Sequence, residues 1–135
     1  AVRWGGEEFL MCAQVHDEQE ALHYATRVRL AVDRANFAIG LEQSLKITCS
    51  IGLACWPFSS KDADNLEYDD IIHLADAALY LAKRSGRDQC IGIVAVPPLP
   101  VECRLLIHND VQHFLHSKFI QLIHDRADAE TTRTI

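Results

Sequence analysis

The chain has 135 residues, of which 49% are hydrophobic, and a formal net charge of −6 at pH 7. This length suits one hydrophobic core and excludes two full domains, while the acidic balance excludes a general attraction to DNA or RNA. The five cysteines form no Cys-x-x-Cys pair, which favours reduced core residues over disulfides or zinc ligands. Without an apolar run long enough to span a bilayer, the segment is expected to be cytoplasmic and free of membrane contact, even in a membrane-anchored parent protein.

Two adjacent glycines, Gly5 and Gly6, stand near the start of the chain between residues that favour β-strands. Adjacent glycines supply positive φ at both central positions of a tight turn, so the pattern predicts a hairpin with strands over residues 2–4 and 9–13. A turn without side chains would let a large polar ligand approach the backbone closely. An ordinary exposed hairpin has the same local pattern, so spacing alone leaves both interpretations open.

Two carboxylates, Glu7 and Glu8, follow the glycines directly. A carboxylate at this place suits a hard cation such as Mg²⁺, and Mn²⁺ takes similar ligands. Because successive strand residues point to opposite faces, the two side chains are not expected to reach one ion together. One of them is therefore expected to have a supporting role.

The first amphipathic helix is predicted from Asp17 to about Asn36. Asp17 is followed three residues later by a glutamate, which is a capping-box pattern at a helix start. An apolar stripe recurs at spacings of four and three: Ala21, Ala25, Val28, Val32 and Ala35. Three arginines fall outside this stripe and are interpreted as a solvated face: Arg27, Arg29 and Arg34.

The clearest strand runs from Lys46 to Cys55, where large apolar residues alternate mainly with small ones. Both faces of such a strand can be buried, which favours a central strand covered by helices. Gly52 within it would permit close packing of another backbone. The polar, proline-containing stretch at 56–66 is expected to be a surface loop.

A second amphipathic helix is predicted from about Tyr68 to Ser85. Gly86 follows where a residue with positive φ would close the helix. In the last turn Lys83 has a simple structural interpretation, which is to complement the helix C-terminus, and Arg87 can be read in the same way. A β-prone run from Cys90 to Val96 is the last predicted strand of the domain.

The prolines at 97–100 predict a stiff linker, which divides the chain into residues 1–96 and 97–135. Beyond the linker, the apolar spacing predicts a helical extension reaching about His124, followed by a polar tail at 127–135. We expect this helix to dock on the domain or to pair with a second copy of the chain. Of its histidines, only His113 and His116 share a face at metal-ligand spacing.

Three stretches, in this order, resemble the GGDEF domain family, the diguanylate cyclases. Arg3–Phe9 reads Arg-Trp-Gly-Gly-Glu-Glu-Phe and resembles the family signature, and Thr48–Leu53 resembles its Thr-x-Ser-Ile-Gly strand. Ala75–Arg87 matches nearly every fixed position of the closing Ala-Asp-x-Ala-Leu-Tyr-x-Ala-Lys-x-x-Gly-Arg motif. The resemblance covers residues 3–96 and leaves the tail outside it.

The resemblance implies an α/β (α+β) fold related to the palm of nucleotidyl cyclases and polymerases, with a mixed central sheet flanked by helices. It also implies that two copies, each holding one GTP, meet as a homodimer to make cyclic di-GMP and pyrophosphate for bacterial signal transduction. A catalytically inactive module that binds GTP or cyclic di-GMP as a sensor is the alternative. A third interpretation makes the domain a dimerisation unit with the 102–124 helix as its contact.

In this family pattern, Glu7 corresponds to a metal ligand and possible proton acceptor, and Glu8 is a weaker catalytic candidate. The glycines Gly5 and Gly6 admit the nucleotide, while Lys83 and Arg87 hold its β- and γ-phosphates. One further position, Arg27, matches an arginine that helps some relatives to bind product.

Several parts of the family pattern are missing from the sequence. They are the second metal-binding aspartate, the residues that bind guanine and the Arg-x-x-Asp inhibitory site, all of which precede the signature in the family. We therefore expect the chain to be a piece of a longer protein and to be inactive alone. The sensor input and the role of the tail stay open.

Overall fold

A computed structural model describes residues 1–40, 43–59 and 66–126 of the chain. The elements, in chain order, are β1 Val2–Gly5, β2 Glu8–Leu10, α1 Glu18–Arg34, β3 Phe37–Ala38, β4 Ser44–Leu45, β5 Ile51–Ala54, α2 Tyr68–Arg84, β6 Cys90–Ala95, α3 Cys103–Asn109, α4 Val111–Leu115 and β7 Ile120–His124. The loop predicted at 56–66 lies partly, and the tail at 127–135 wholly, outside the described residues. Among the helices of this part, none is both long and apolar enough to cross a bilayer.

The largest described sheet has three strands in the order β5-β6-β7. β5 pairs with β6 in parallel, with Ile51 opposite Cys90, and β6 pairs with β7 antiparallel. Two short hairpins, β1-β2 and β3-β4, form separate two-stranded sheets. A mixed sheet with flanking helices confirms the predicted α+β class.

The α1 helix begins where the sequence predicts. The side chain of Asp17 accepts a hydrogen bond of 2.7 Å from the backbone N–H of Glu20, which satisfies one of the unpaired donors of the first turn. Leu22 and Ala25 are buried, and they pack with Cys90 of β6. The α1 helix therefore covers the sheet near the start of β6.

The α2 helix lies directly on β5 at Gly52. A Cβ atom built at Gly52 would come within 2.1 Å of both the carbonyl oxygen of Ala75 and the backbone nitrogen of Leu79. The predicted close approach at this glycine is therefore confirmed. Around it, α2 buries these residues: Asp70, Ile71, Leu74, Ala77, Ala78 and Ala82.

The strand predicted from Lys46 to Cys55 is shorter in the structure. Only Ile51–Ala54 form β5, and Ile51 lies opposite Cys90, the first residue of β6. Residues 46–50 therefore have no β6 residue opposite them to complete a ladder, although their alternating pattern resembles a strand.

The prediction of one helix reaching about His124 is wrong. The described part beyond residue 100 forms α3, α4 and then β7, whose five residues add an antiparallel strand to β6. The apolar spacing there suits either structure, and the partner strand decides between them. A Cβ atom at Gly92 of β6 would lie 2.6 Å from Cγ1 of Ile123, so β7 covers β6 closely at this position.

The C-terminal segment shares the core of α2. Phe114 is fully buried in the main hydrophobic cluster. At the start of α2, the fully buried Asp70 accepts a hydrogen bond from the backbone N–H of Glu67, contacts Arg104 at 3.3 Å and pairs with His108. These contacts dock α3 on α2. The domain boundary at residue 97 stays a prediction.

Candidate nucleotide site

The tip of the β1-β2 hairpin is shifted by one residue from the predicted turn. Its two turn residues are Gly6 and Glu7, while Gly5 ends β1 and pairs with Glu8. Of the two glycines, only Gly6 has positive φ, at 52°. The prediction that both glycines occupy the central turn positions is therefore wrong, and a register irregularity between Arg3 and Gly5 accounts for the shift.

Arg3 holds the turn from the side. Its Nε and Nη2 donate hydrogen bonds of 2.9 and 2.7 Å to the carbonyl oxygen of Gly6. The forked guanidinium fixes a carbonyl that would otherwise be free to rotate with the glycine. Sequence reasoning assigned Arg3 no role, although an arginine shortly before a glycine turn is a readable signal.

The two glutamates have different surroundings. Glu7 is exposed at the turn and forms no hydrogen bond or ion pair with another residue of the described ranges. Glu8 on β2 accepts a hydrogen bond of 2.6 Å from Nζ of Lys83, which lies 75 residues later in the sequence, at the end of α2. Both partners are partly exposed, with 37% of the lysine and 41% of the glutamate side chain accessible. This ion pair brings the hairpin beside the closing motif.

The end of α2 turns sharply after Lys83. Gly86 has a φ of 106°, which confirms the predicted closing glycine, and the next two residues, Arg87 and Asp88, also have positive φ, at 58° and 48°. The backbone N–H of Arg87 donates to the carbonyl of Ala82 at 3.0 Å. Within the described residues the exposed guanidinium of Arg87 has no partner. Its predicted convergence with Lys83 on a triphosphate stays a prediction.

A network of charged residues joins α1 to the strand ends, and sequence reasoning missed it. Nε of Arg29 donates to Asp125 at 2.7 Å, and its Nη1 donates to Asp88 at 3.0 Å. Only 11% of the Arg29 side chain and 1% of the Asp125 side chain are accessible. The prediction of a solvated face is therefore wrong for Arg29, because its partners come from distant positions that no helical spacing reveals.

The network shifts the protonation of its members. Burial alone would raise the pKa of Asp125, but hydrogen bonds from the backbone of Cys90 and from Arg29 outweigh burial and lower the pKa below its ordinary value. Burial also opposes the charge of Arg29, yet its two carboxylate partners raise the pKa. The pKa of the Cys90 thiol rises to about 12, mainly through burial, which argues against a reactive thiolate.

Acid is expected to remove the contribution of Asp125 to stability. A carboxyl with a lowered folded-state pKa stabilises fully above its unfolded pKa, and the contribution is lost as the pH falls through the folded-state pKa. We therefore expect the free energy of unfolding of wild type to exceed that of Asp125→Asn by about 3 kcal/mol at neutral pH. This difference should shrink below about pH 4. Urea unfolding of both proteins across this pH range measures it. A difference that stays constant with pH would assign the effect to shape instead of charge.

The donor set at the hairpin fits a divalent cation in part. Glu7 offers an exposed carboxylate without a competing partner, which is the ligand type that Mg²⁺ and Mn²⁺ take. In the ranges that the structure describes, no group of three or more histidine, cysteine or acidic side chains could hold a metal ion. Glu7 would therefore supply one ligand of such a cation. Arg27 lies exposed on α1, without a hydrogen bond or ion pair to another described residue.

A mixed sheet carrying helices, with an acidic glycine hairpin beside it, is the arrangement of the palm-like nucleotidyl cyclase fold. The family model described as "Diguanylate cyclase, GGDEF domain" matches residues 1–89. The chain belongs to this family.

Curated proteins are also similar to the chain. Diguanylate cyclase DosC of Escherichia coli (strain K12) is 32% identical over 87 residues, which make up 64% of this chain and 18% of that protein. Uncharacterized protein YtrP of Bacillus subtilis (strain 168) is 29% identical over 115 residues, 82% of this chain and 14% of that protein. The chain thus spans less than a fifth of these relatives. No solved structure matches it significantly.

Proposed function

We propose that the protein carrying this chain is a diguanylate cyclase, which condenses two GTP molecules into cyclic di-GMP and pyrophosphate. The observation that supports it most is the ion pair between Glu8 and Lys83. Two motifs that are far apart in the sequence meet there. Next to them along the chain, the carboxylate of Glu7 and the guanidinium of Arg87 have no hydrogen-bond or ion-pair partner among the described residues. A nucleoside triphosphate site needs a carboxylate to bind a cation and positively charged side chains to bind the phosphates.

The hairpin tip has room for the nucleotide. Apart from the adjacent residues in sequence, a Cβ atom built at Gly5 or Gly6 would meet no described atom within 4 Å, so the backbone there lies open. Lys83 is engaged by Glu8, but a partly exposed ion pair contributes only about 0–1 kcal/mol. A triphosphate can therefore take the lysine from Glu8 at little cost, and the exposed Arg87 can add forked hydrogen bonds to the same phosphates.

The reaction makes one phosphodiester bond at a time. The ribose 3′-oxygen of one GTP attacks the α-phosphorus of the other, the bond from that phosphorus to the bridging oxygen of the β-phosphate breaks, and pyrophosphate leaves. The hydroxyl proton passes to a base, for which Glu7 is the candidate. Mg²⁺ or Mn²⁺, when bound, supplies neutralisation of the charge that develops on phosphate. Lys83 and Arg87 hold the β- and γ-phosphates in place.

The chemistry requires two sites that face each other, because each GTP is both nucleophile and target. We therefore propose a homodimer for catalysis, in a cytoplasmic location where GTP is available. Arg27, exposed on α1, is the candidate for a contact with cyclic di-GMP.

The test is direct conversion. The purified protein that carries this chain, incubated with GTP and Mg²⁺, is expected to release cyclic di-GMP and two equivalents of pyrophosphate. Chromatography measures both products.

Lys83→Met should raise the KM for GTP by about tenfold, since it removes one charged phosphate contact. Binding of GTP without any product would favour the inactive sensor module, and absence of both binding and product would contradict the proposal.

A further inference from the structure

The turn that presents Arg87 is clamped by residues from elsewhere in the chain. Asp88, the next residue, accepts two hydrogen bonds of 3.0 Å on its carboxylate. Nη1 of Arg29 donates to one oxygen and Nη2 of Arg126 donates to the other. Its backbone N–H donates to the hydroxyl of Ser50 at 3.1 Å. Asp88 is thus held by three parts of the chain: helix α1, the segment before β5 and the residues after β7. It lies next to Arg87, the candidate for phosphate binding.

A second layer supports the clamp. Asp125 accepts from Nε of Arg29 at 2.7 Å and from the backbone N–H of Cys90 at 2.8 Å, so it orients the guanidinium that reaches Asp88. The carboxylate of Asp125 is nearly inaccessible, and Arg126 follows it directly at the end of β7. The two anchoring residues at 125 and 126 lie outside the range matched by the family model.

The backbone at this turn needs such support. Arg87 and Asp88 both adopt positive φ, which is unfavourable for residues with a Cβ atom and persists only where surrounding contacts enforce it. The side-chain amide of Gln89 adds hydrogen bonds of 3.0 and 2.8 Å to the carbonyls of Ala82 and Ser85, which fixes the other end of the turn. The direction in which Arg87 leaves the backbone is therefore set by these contacts.

We propose that Asp125 and Arg126, directly after β7, are positioning residues for Arg87 in GTP binding, acting through Asp88 and Arg29. The inference rests on the proposed function, because it assigns to Arg87 the phosphates of GTP. It makes the two residues that follow β7 support the proposed nucleotide site from outside it. Weakening the clamp lets the strained turn relax and moves the guanidinium away from the phosphates.

A double-mutant cycle between Arg126 and Arg87 tests the proposal in the intact protein that carries this chain. Arg126→Ala is chosen because 45% of the arginine side chain is accessible, so the fold is expected to survive. We expect it to raise the KM for GTP and the Kd for GTP with Mg²⁺ by about tenfold, with kcat changed less than KM. In an Arg87→Ala background the same substitution should have no further effect. Arg34→Ala, on the exposed end of α1, is the matched control and should leave both constants unchanged.

The outcomes separate the inference from the proposed function. Equal effects of Arg126→Ala with and without Arg87 would mean general destabilisation and would overturn the inference, as would an unchanged KM and Kd. Asp88→Asn provides a second variant, expected to behave like Arg126→Ala, and thermal melting reports the fold of each protein. If wild type makes cyclic di-GMP and the cycle is additive, the inference alone fails. If wild type neither binds nor converts GTP, both fail.

Discussion

Substitution Glu7→Ala is expected to lower cyclic di-GMP synthesis by at least about 100-fold while the fold stays intact. The carboxylate lies exposed in the hairpin turn and has no partner among the described residues, so its removal deletes a ligand for the cation and a candidate proton acceptor without breaking a structural contact. Because the lost interactions serve the transition state, kcat should fall much more than the KM for GTP rises. Steady-state kinetics with GTP and Mg²⁺, together with thermal melting, measure both parts.

Glu8→Gln is the informative comparison at the neighbouring position. It removes the charge paired with Lys83 but leaves Glu7 in place, and we expect a change in the KM for GTP of less than about tenfold. Glu102→Gln, at an exposed position before α3, controls for loss of a carboxylate alone. Undiminished turnover in Glu7→Ala, or an equal loss in Glu8→Gln, would contradict the role assigned to Glu7.

Substitution Gly52→Ala is expected to lower the free energy of unfolding by more than about 3 kcal/mol. The added methyl group would lie 2.1 Å from backbone atoms of Ala75 and Leu79, and neither the backbone of α2 nor that of β5 can move aside without opening the core. Chemical denaturation followed by circular dichroism measures the loss. At this magnitude, a marginally stable domain would be partly unfolded under native conditions.

Gly40→Ala is the matched control for this substitution. A Cβ atom at Gly40 would meet no atom of the described part of the chain within 4 Å beyond its own neighbours in sequence, and no positive φ opposes it, so we expect a change within about 0.5 kcal/mol. If both alanine variants unfold at the same denaturant concentration, α2 does not lie against β5 as described. A selective loss at Gly52 confirms the close approach between them.

Local patterns predicted those elements whose signals are complete within a short stretch. The capping residue Asp17 and the closing glycine Gly86 mark helix ends because they serve backbone groups three or four residues away. Gly52 was readable as a close-approach position because it stands in an otherwise apolar strand. Each of these predictions depends on neighbours in sequence, and the structure confirms each.

The failures concern contacts between distant residues. The apolar spacing of residues 120–124 suits a helix as well as a strand, and pairing with β6 selects the strand. Arg29 resembles an exposed helical arginine until Asp125, 96 residues later, is placed beside it. The hairpin register depends on an irregularity after Arg3, which no residue type announces.

The candidate site, too, could be predicted from the sequence only in part. Residue chemistry and the family resemblance singled out Glu7, Glu8, Lys83 and Arg87, but not the pairing of Glu8 with Lys83. That pair follows from how α2 lies beside the hairpin, which depends on the packing of the whole domain. The sequence therefore indicated the groups of the candidate site, while their mutual arrangement depends on the fold.

The pair of Glu8 with Lys83 implies thermodynamic linkage between two ligands. Under the proposed function, a triphosphate that takes Lys83 releases the Glu8 carboxylate, and the hairpin then carries one more uncompensated negative charge close to Glu7. The affinity of the hairpin for a divalent cation should rise accordingly, and by reciprocity bound cation should tighten GTP binding by the same factor. The ion pair would thus keep the affinity of the hairpin for divalent cations low until nucleotide binds.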